Sequence, residues 1–171
     1  MKIEKAVTSD IPELLKLINS AYRGEDSRAG WTTEAGFLIS DARIDAPSLE
    51  QMMKEKDAAI MKFVDDQNRI SGCVYLQKQN SKLYLGLLAV SPILQGAGIG
   101  KKLLKVADDR GRELECDSIK LKVISIRKEL IDWYERHGFN KTGELQPFPH
   151  DDNFGLATME LQLLVMERKL V

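Results

Sequence analysis

The spacing of apolar residues predicts a chain in which strands and helices follow one another closely. Apolar residues recur at helical spacing from Ile11 to Tyr22, and Asp10 and Pro12 are typical of a helix start. Lys2 to Ala6 is predicted to form a short strand before this helix. Three further strands with short polar connections predict an antiparallel meander, and they span 58–64, 69–78 and 82–90.

The last strand of this meander is apolar on both faces. Alternation along an extended strand places Leu83, Leu85, Leu87 and Ala89 on one face, and Tyr84, Gly86, Leu88 and Val90 on the other. A strand without a polar face is covered on both sides, so we expect it near the centre of the sheet.

The second half of the chain predicts alternating helices and strands. We expect a helix from Ile99 to about Leu114, a strand from Ser118 to Ile124, a helix from Lys128 to His137, a strand from Phe139 to Thr142 and a long strand from Leu156 to Glu167. A strand, a helix and a strand in succession require a crossover and hence a parallel pair. The prediction is a single α/β (α+β) domain over residues 1–171, with a mixed, mostly antiparallel central sheet flanked by helices.

Charge and cysteine content then exclude several classes of protein. The 171 residues carry 25 Lys and Arg against 26 Asp and Glu, which disfavours a nucleic-acid binder that relies on bulk positive charge. No apolar run approaches the roughly 20 residues that span a bilayer. Cys73 and Cys116 stand far apart with no histidine at ligand spacing, so we expect neither a disulfide scaffold nor a metal site. A cytoplasmic protein without nucleic-acid or membrane partners is the expectation.

The segment from Gln95 to Gly100 carries the clearest chemical signal. Glycines at 96, 98 and 100 allow a tight turn that exposes backbone amides, and the helix that follows adds the partial positive charge of its first turn. Such a turn suits a phosphate or a pyrophosphate. It is neither a Walker A loop, because Gln95 and Lys102 break that pattern, nor a dinucleotide fingerprint, because Lys101 stands where glycine or alanine is needed.

Two motifs resemble the GCN5-related N-acetyltransferase (GNAT) superfamily. Gln95 to Gly100 matches the acetyl-coenzyme A signature Q/R-x-x-G-x-G/A, and Trp133 to Phe139 resembles the Y-E-x-x-G-F segment between a helix and a strand. The order of elements is similar over nearly the whole chain. The resemblance implies a sheet that splays between its fourth and fifth strands, and acetyl-CoA as the cosubstrate.

The resemblance also implies roles for particular residues. The backbone of Leu88, Ala89 and Val90 would meet the pantetheine arm and polarise the thioester carbonyl. The turn that cradles the pyrophosphate would comprise Gln95, Gly96, Ala97, Gly98, Ile99, Gly100 and Lys101. Arg127 stands where the family often has asparagine, so its contact with pantetheine or phosphate departs from the family's pattern.

Tyr134 is the candidate catalytic residue. A phenol can protonate the departing thiolate as a general acid, since reference pKa values of about 10 for tyrosine and 8.5 for a thiol are close. The alternative is that Tyr134 only packs against the sheet, as aromatic residues on amphipathic helices often do. No general base is evident in strand 82–90; the acidic and histidine candidates elsewhere are Glu34, Asp41, Asp45, His150, Asp151 and Asp152.

The resemblance implies that the acceptor pocket is shaped by the segment after the first helix, 23–46, and by the late loop at 146–154. Its candidate residues are Trp31, Glu34, Phe37 and Arg43, of which Arg43 favours a carboxylate and Glu34 a cation. The predicted function is acetyl transfer to the primary amine of a small molecule by direct attack. The alternatives are a non-catalytic acyl-CoA-binding module and an enzyme that acetylates a protein's terminal amine or lysine. A homodimer is possible through the last strand.

Overall fold

A computed structural model describes residues 1–23, 30, 32–35, 38–39, 43–149, 156–157 and 160–170. The seven strands of its main sheet are β1 (Lys2–Lys5), β2 (Ala58–Val64), β3 (Ile70–Gln79), β4 (Lys82–Val90), β5 (Ser118–Ile124), β6 (Asn140–Pro147) and β7 (Gln162–Lys169). The helices are α1 (Ile11–Tyr22), α2 (Ala46–Lys54), α3 (Ile99–Glu113) and α4 (Lys128–Arg136). Several of the predicted residues lie outside the described ones, namely Trp31, Phe37, Asp41, His150, Asp151 and Asp152.

The seven strands lie in the order β1-β2-β3-β4-β5-β7-β6. Every neighbouring pair is antiparallel except β4 and β5, which are parallel. This confirms the mixed, mostly antiparallel sheet and the central place of β4. Helices α3 and α4 pack on one face of the sheet, whereas α1 and α2 pack on the other, so each face has its own apolar core.

Aspartate side chains hold the chain at two of the helix starts. Asp10 accepts a hydrogen bond from the Val7 N–H at 2.8 Å and one from the Lys62 ammonium at 2.9 Å, which fixes the chain as it enters α1. Asp45 accepts from the Ser48 N–H at 2.9 Å and caps α2. Asp45 therefore has a structural partner at a helix end. None of the described helices is long and apolar enough to span a membrane.

A bulge interrupts β4 and reverses the side-chain alternation predicted for it. Cys73 of β3 pairs with Ala89 and Tyr75 pairs with Gly86, so that two residues of β4 oppose one residue of β3. One of these two, Leu87, has the left-handed φ of +48°. Leu83 and Leu85 pack on the α3 side, whereas Leu87 and Ala89 pack on the α1 side. The prediction that all four share one face is wrong, because the extra residue turns the strand over.

The predicted splay is present between β4 and β5. The two strands pair over three residues, from Lys82 with Ser118 to Tyr84 with Lys120. Beyond Tyr84 no further pairs form, and the carboxyl ends of the two strands diverge. The bulge lies in this unpaired part of β4, so it opens onto the gap between the strands.

The last third of the chain differs from the sequence prediction. Strand β6 extends to Pro147, well beyond the predicted end at Thr142. It is an edge strand whose side chains are mostly exposed, so it lacks the apolar periodicity that reveals a strand. The long strand predicted from Leu156 to Glu167 is wrong. Leu156–Ala157 instead pairs with Leu38–Ile39 in a separate short ribbon, and β7 begins at Gln162.

Candidate active site

The glycine turn before α3 has the backbone conformation that an anion cradle requires. Gly96 and Gly98 have positive φ angles of +92° and +81°, which side chains of L-residues rarely adopt. A Cβ atom added at either glycine would meet no atom within 4 Å, so both face open space. No side chain caps the first turn of α3. The amides of this turn are therefore free of a side-chain cap and suited to a pyrophosphate.

A cavity of about 300 Å³, here called the cofactor cavity, lies between this turn, the end of β4 and α4. Ten of the eleven predicted cofactor residues line it, and Ala97 is the one that does not. The ten are Leu88, Ala89, Val90, Gln95, Gly96, Gly98, Ile99, Gly100, Lys101 and Arg127. The fold thus brings together residues from three separate segments, and what they form fits the acetyl-CoA that the motif implied.

Two further residues of the cofactor cavity are aromatic and come from α4. The rings of Trp133 and His137 stack with centroids 4.1 Å apart. Gly100 lies against this pair, since an added Cβ would come within 3.3 Å of Trp133. In the sequence, Trp133 stood out only as part of a motif, and His137 only as the predicted end of the helix. Their spacing of four residues on one helix face was the available signal.

The side chain of Gln95 turns back onto β4. Its Nε2 donates to the carbonyl oxygen of Val90 at 3.2 Å. A Cβ at Gly30 would come within 2.2 Å of its Oε1, so Gln95 lies directly against that glycine. The first residue of the signature therefore links the end of β4 to the segment that follows α1.

A second cavity of about 230 Å³, the acceptor cavity, is lined by residues of both splayed strands, β4 and β5. Two of the four predicted substrate residues, Glu34 and Arg43, line it. The two cavities share five residues, here called the junction: Tyr22, Leu88, Arg127, Leu130 and Tyr134. A ligand in one cavity can approach a ligand in the other at this junction.

Tyr134 lies at this junction in a dry, aromatic environment. The residue is 5% exposed, and its ring meets the rings of Trp133 and Phe139 edge-on at 5.2 and 5.5 Å. Among the described residues its hydroxyl makes no hydrogen bond. Burial raises the pKa of Tyr134 well above that of free tyrosine, and nearby Tyr22 adds to the rise while Arg127 opposes it. The phenol therefore remains protonated at any ordinary working pH.

The bulge in β4 supplies polar backbone groups to the junction. The Cys73 thiol donates a hydrogen bond to the carbonyl oxygen of Leu87, with 3.5 Å between the sulfur and the oxygen. Because the peptide bond is trans, the N–H of Leu88 points away from that oxygen and from Cys73. The carbonyl oxygen of Leu88 accepts a hydrogen bond of 2.8 Å from the Tyr22 hydroxyl. Tyr22 was not anticipated, although it ends the helical pattern of α1 beside the predicted acceptor loop.

A buried ion cluster forms one wall of the acceptor cavity. The two carboxylate oxygens of Glu34 lie 3.4 Å from Arg23 Nη2 and 3.5 Å from Arg127 Nη1, and all three side chains are at most 4% exposed. Arg127 also donates to the Thr32 hydroxyl at 2.6 Å. Burial lowers the pKa of Arg23, and Glu34 counteracts this. Arg127 thus stands at the junction as a buried cation held by its own chain.

Arg43 stands on the same side of the acceptor cavity. Its guanidinium carbon lies 5.7 Å from the centroid of the Tyr22 ring, at cation–π distance. Asn19 of α1 holds the backbone there, since its Oδ1 accepts from the N–H of Arg43 at 2.6 Å and from that of Ile44 at 3.1 Å. Helix α1 therefore places both Tyr22 and Arg43.

Fold and site together define a domain of the GNAT class: a mixed sheet that splays beside a β-bulge, with a glycine turn opening the next helix. A family model described as "Acetyltransferase (GNAT) domain" matches residues 33–163, and the chain belongs to this family. The resemblance read from the two motifs is thereby confirmed.

Individual relatives are similar to parts or all of the chain. "Acetyltransferase Atu2258" of Agrobacterium fabrum is 31% identical over 83 residues, which are 48% of this chain and 59% of that protein's length. The ribosomal-protein-S18-alanine N-acetyltransferase from Escherichia coli shares the fold with a TM-score of 0.72 at 15% identity, over 99% of this chain and 93% of its own. Nourseothricin acetyltransferase has a TM-score of 0.72 at 19% identity, over 99% and 98%. The first of these two names specifies a ribosomal protein and the second specifies nourseothricin, so the fold leaves the acceptor open.

Proposed function

We propose that the protein is an acetyl-CoA-dependent N-acetyltransferase that acts on the primary amine of a small molecule by direct attack. The observation that carries this proposal is the junction, where the cofactor cavity and the acceptor cavity share Leu88 and Tyr134. Acetyl-CoA on one side and an amine on the other would meet at this junction. The backbone N–H of Leu88 and the protonated phenol of Tyr134 lie beside that meeting point. The cytoplasmic setting and the homodimer expected from the sequence stay predictions.

The glycine turn and Lys101 are proposed to hold the diphosphate of acetyl-CoA through backbone amides and one nearby positive charge. When bound, acetyl-CoA supplies an acetyl group activated as a thioester. The bulged backbone at Leu88 to Val90 would receive the pantetheine arm, because this part of β4 has no partner on the β5 side. The stacked rings of Trp133 and His137 cover the opposite side of the cofactor cavity.

The N–H of Leu88 is proposed to stabilise negative charge on the acetyl carbonyl oxygen. Such charge develops as the amine attacks, and a donor that is already oriented stabilises it without reorganisation. Tyr22 fixes that orientation from the other end of the residue, because its hydrogen bond to the Leu88 carbonyl prevents the bulge from turning. Tyr22 is therefore a positioning residue.

Tyr134 is proposed to give its phenolic proton to the departing thiolate sulfur. Its raised pKa keeps the proton in place until the sulfur carries charge, which a general acid requires. The same dry surroundings raise the pKa of a thiol, so burial does not by itself reverse the direction of transfer. Arg127 at the junction favours the phenolate that remains.

The proton released by the attacking amine has no dedicated base among the described residues of the acceptor cavity. Glu34 is the one acidic residue in that lining, and both of its oxygens face arginines. Because both oxygens are engaged by arginines of the chain, Glu34 is not positioned to take a proton from an incoming amine. We propose that the amine enters neutral or loses its proton to water.

The test is Tyr134→Phe, with coenzyme A release followed over a panel of primary amines. We expect kcat to fall about 100-fold or more, the usual size of a general-acid contribution, with unchanged affinity for coenzyme A in calorimetry. Tyr75→Phe is the matched control, since Tyr75 is a buried tyrosine on β3 outside both cavities. Unchanged turnover in Tyr134→Phe would exclude the acid role.

The same panel decides between the classes of function. A non-catalytic module binds coenzyme A without releasing it from acetyl-CoA in the presence of any amine. An enzyme for protein amines acetylates a peptide with a free terminus faster than any small amine. The proposal requires a small amine to be the better acceptor, in keeping with a cavity of about 230 Å³.

A further inference from the structure

The described wall of the acceptor cavity carries more guanidinium groups than carboxylates. Arg23, Arg43 and Arg127 all line it, whereas Glu34 is the one acidic residue among its described lining residues. Lys122 of β5 adds a further cation at its exposed side. Glu129 lies 3.9 Å from the Nε of Arg127 but is not part of the lining.

The three guanidinium groups act on one another and on the junction. Arg43 and Arg127 both disfavour the charged form of Arg23, which lowers its pKa further, so the three charges are close. Both carboxylate oxygens of Glu34 form ion pairs with two of these groups, one with Arg23 and one with Arg127. A further cation placed beside these buried guanidinium groups is destabilised by like-charge repulsion, whereas an anion placed there is stabilised.

Arg43 is the arginine of this group whose backbone is held by α1 and whose side chain lies over Tyr22 of the junction. It is half-buried rather than buried, and its guanidinium lies over the ring of Tyr22, whose hydroxyl binds the bulge. A guanidinium group has several N–H donors in a planar fork, so Arg43 can contact a ligand in addition to its contacts within the chain. Its position on this wall gives the acceptor cavity a cationic side.

The opposite side of the acceptor cavity is apolar. The residues there come from β4, β5 and β7 and from the chain after β6; they include Leu85, Val123, Ile124, Phe148 and Leu163. The cavity therefore offers an apolar surface, a cationic surface and, at the junction, a place for the attacking amine.

We infer that the acceptor is a small amino acid, meaning a primary amine that also carries a carboxylate and an apolar body, and that Arg43 determines this specificity. The inference rests on the proposed function and narrows its substrate class. The carboxylate pairs with the Arg43 guanidinium in a charge-assisted hydrogen bond, and the apolar body covers Val123 and Leu163. A diamine is disfavoured, because its second ammonium would lie among the guanidinium groups.

The first experiment measures coenzyme A release with matched acceptors. L-leucine, L-phenylalanine and 5-aminopentanoate are each compared with their carboxamides, at pH values that give the same fraction of neutral amine, and 1,5-diaminopentane is included. We expect kcat/KM to be about 10-fold to 100-fold higher for the best acid than for its amide. A diamine or an amide that equals the best acid overturns the inference, yet leaves the proposed acetyl transfer intact.

The variant Arg43→Gln tests whether Arg43 causes the preference for the acid over its amide. In this variant kcat/KM is expected to fall more for the acid than for its amide, so that the advantage of the acid is lost. Arg136→Gln is the control for net charge, because Arg136 is an exposed residue of α4 outside both cavities. An undiminished preference for acids in Arg43→Gln overturns the assignment.

A binding experiment tests the inference without turnover. Calorimetry with coenzyme A present compares N-acetyl-L-leucine with N-acetyl-L-leucinamide. Tighter binding of the acid, abolished by Arg43→Gln and retained by Arg136→Gln, supports a carboxylate site. Equal binding, or no binding of either molecule, overturns it. If no amine is turned over but the acid still binds selectively, the proposed reaction fails while the carboxylate site stands.

Discussion

The cofactor cavity and the acceptor cavity are built from different materials. The cofactor cavity relies on backbone: two glycines with positive φ, an uncapped helix start and a bulged strand. The acceptor cavity relies on long charged side chains that reach it from distant segments, as Arg23, Glu34 and Arg127 do. A backbone site accepts one constant ligand across a family, whereas a side-chain site can change its specificity with one substitution.

The sharpest way to break this comparison is Gly98→Val. A β-branched residue at φ +81° costs about 1–3 kcal/mol or shifts the turn, and either outcome disturbs the amides that hold the diphosphate. We expect calorimetry to show an affinity for coenzyme A about 30-fold to 100-fold lower.

Gly143→Val is the matched control for this strain. Gly143 has φ +88° and open space at its Cβ position, but it lies on β6, outside both cavities. The Gly143→Val variant should lose a comparable amount of stability and keep its affinity for coenzyme A. Equal affinities in the two glycine variants would show that the backbone cradle is not where the cofactor binds.

Tyr22→Phe probes the boundary between the two cavities. The change leaves the Leu88 carbonyl without its donor, a loss of about 1–3 kcal/mol for a buried acceptor, and frees the bulge to turn. We expect kcat to fall about 10-fold while the affinity for coenzyme A is unchanged. A fall in affinity with kcat preserved would instead assign Tyr22 to cofactor binding, and Tyr75→Phe again serves as the control.

The pH dependence of kcat/KM gives the smallest expected effect, namely that no decline is seen on the alkaline side of the profile. Burial raises the pKa of Tyr134, so the neutral phenol persists to higher pH than in free tyrosine and the acid is lost only above about pH 10. The ratio kcat/KM should therefore rise with pH as the acceptor amine becomes neutral, with no decline up to pH 9.5. A decline between pH 8 and 9.5 that disappears in Tyr134→Phe would contradict the raised pKa.

The cofactor cavity was largely accessible to sequence reasoning. Its turn occupies six consecutive residues, Gln95 to Gly100, and glycine is the residue that most readily adopts the positive φ found at Gly96 and Gly98. The acceptor cavity was accessible only in outline. Glu34 was named as a candidate for a cationic ligand, but its partners Arg23 and Arg127 are 11 and 93 positions away, and no local pattern links them.

The amino-acid sequence was sufficient to predict the mixed sheet, most of the strand and helix order and the glycine turn, because these depend on local periodicity and on glycine. Only the tertiary structure decided which face Leu87 occupies, where the long final strand is interrupted, and which charges meet at the junction. Each of these depends on pairing between distant segments: a bulge is defined by the strand opposite it, and the charge of a cavity by every segment that reaches its wall.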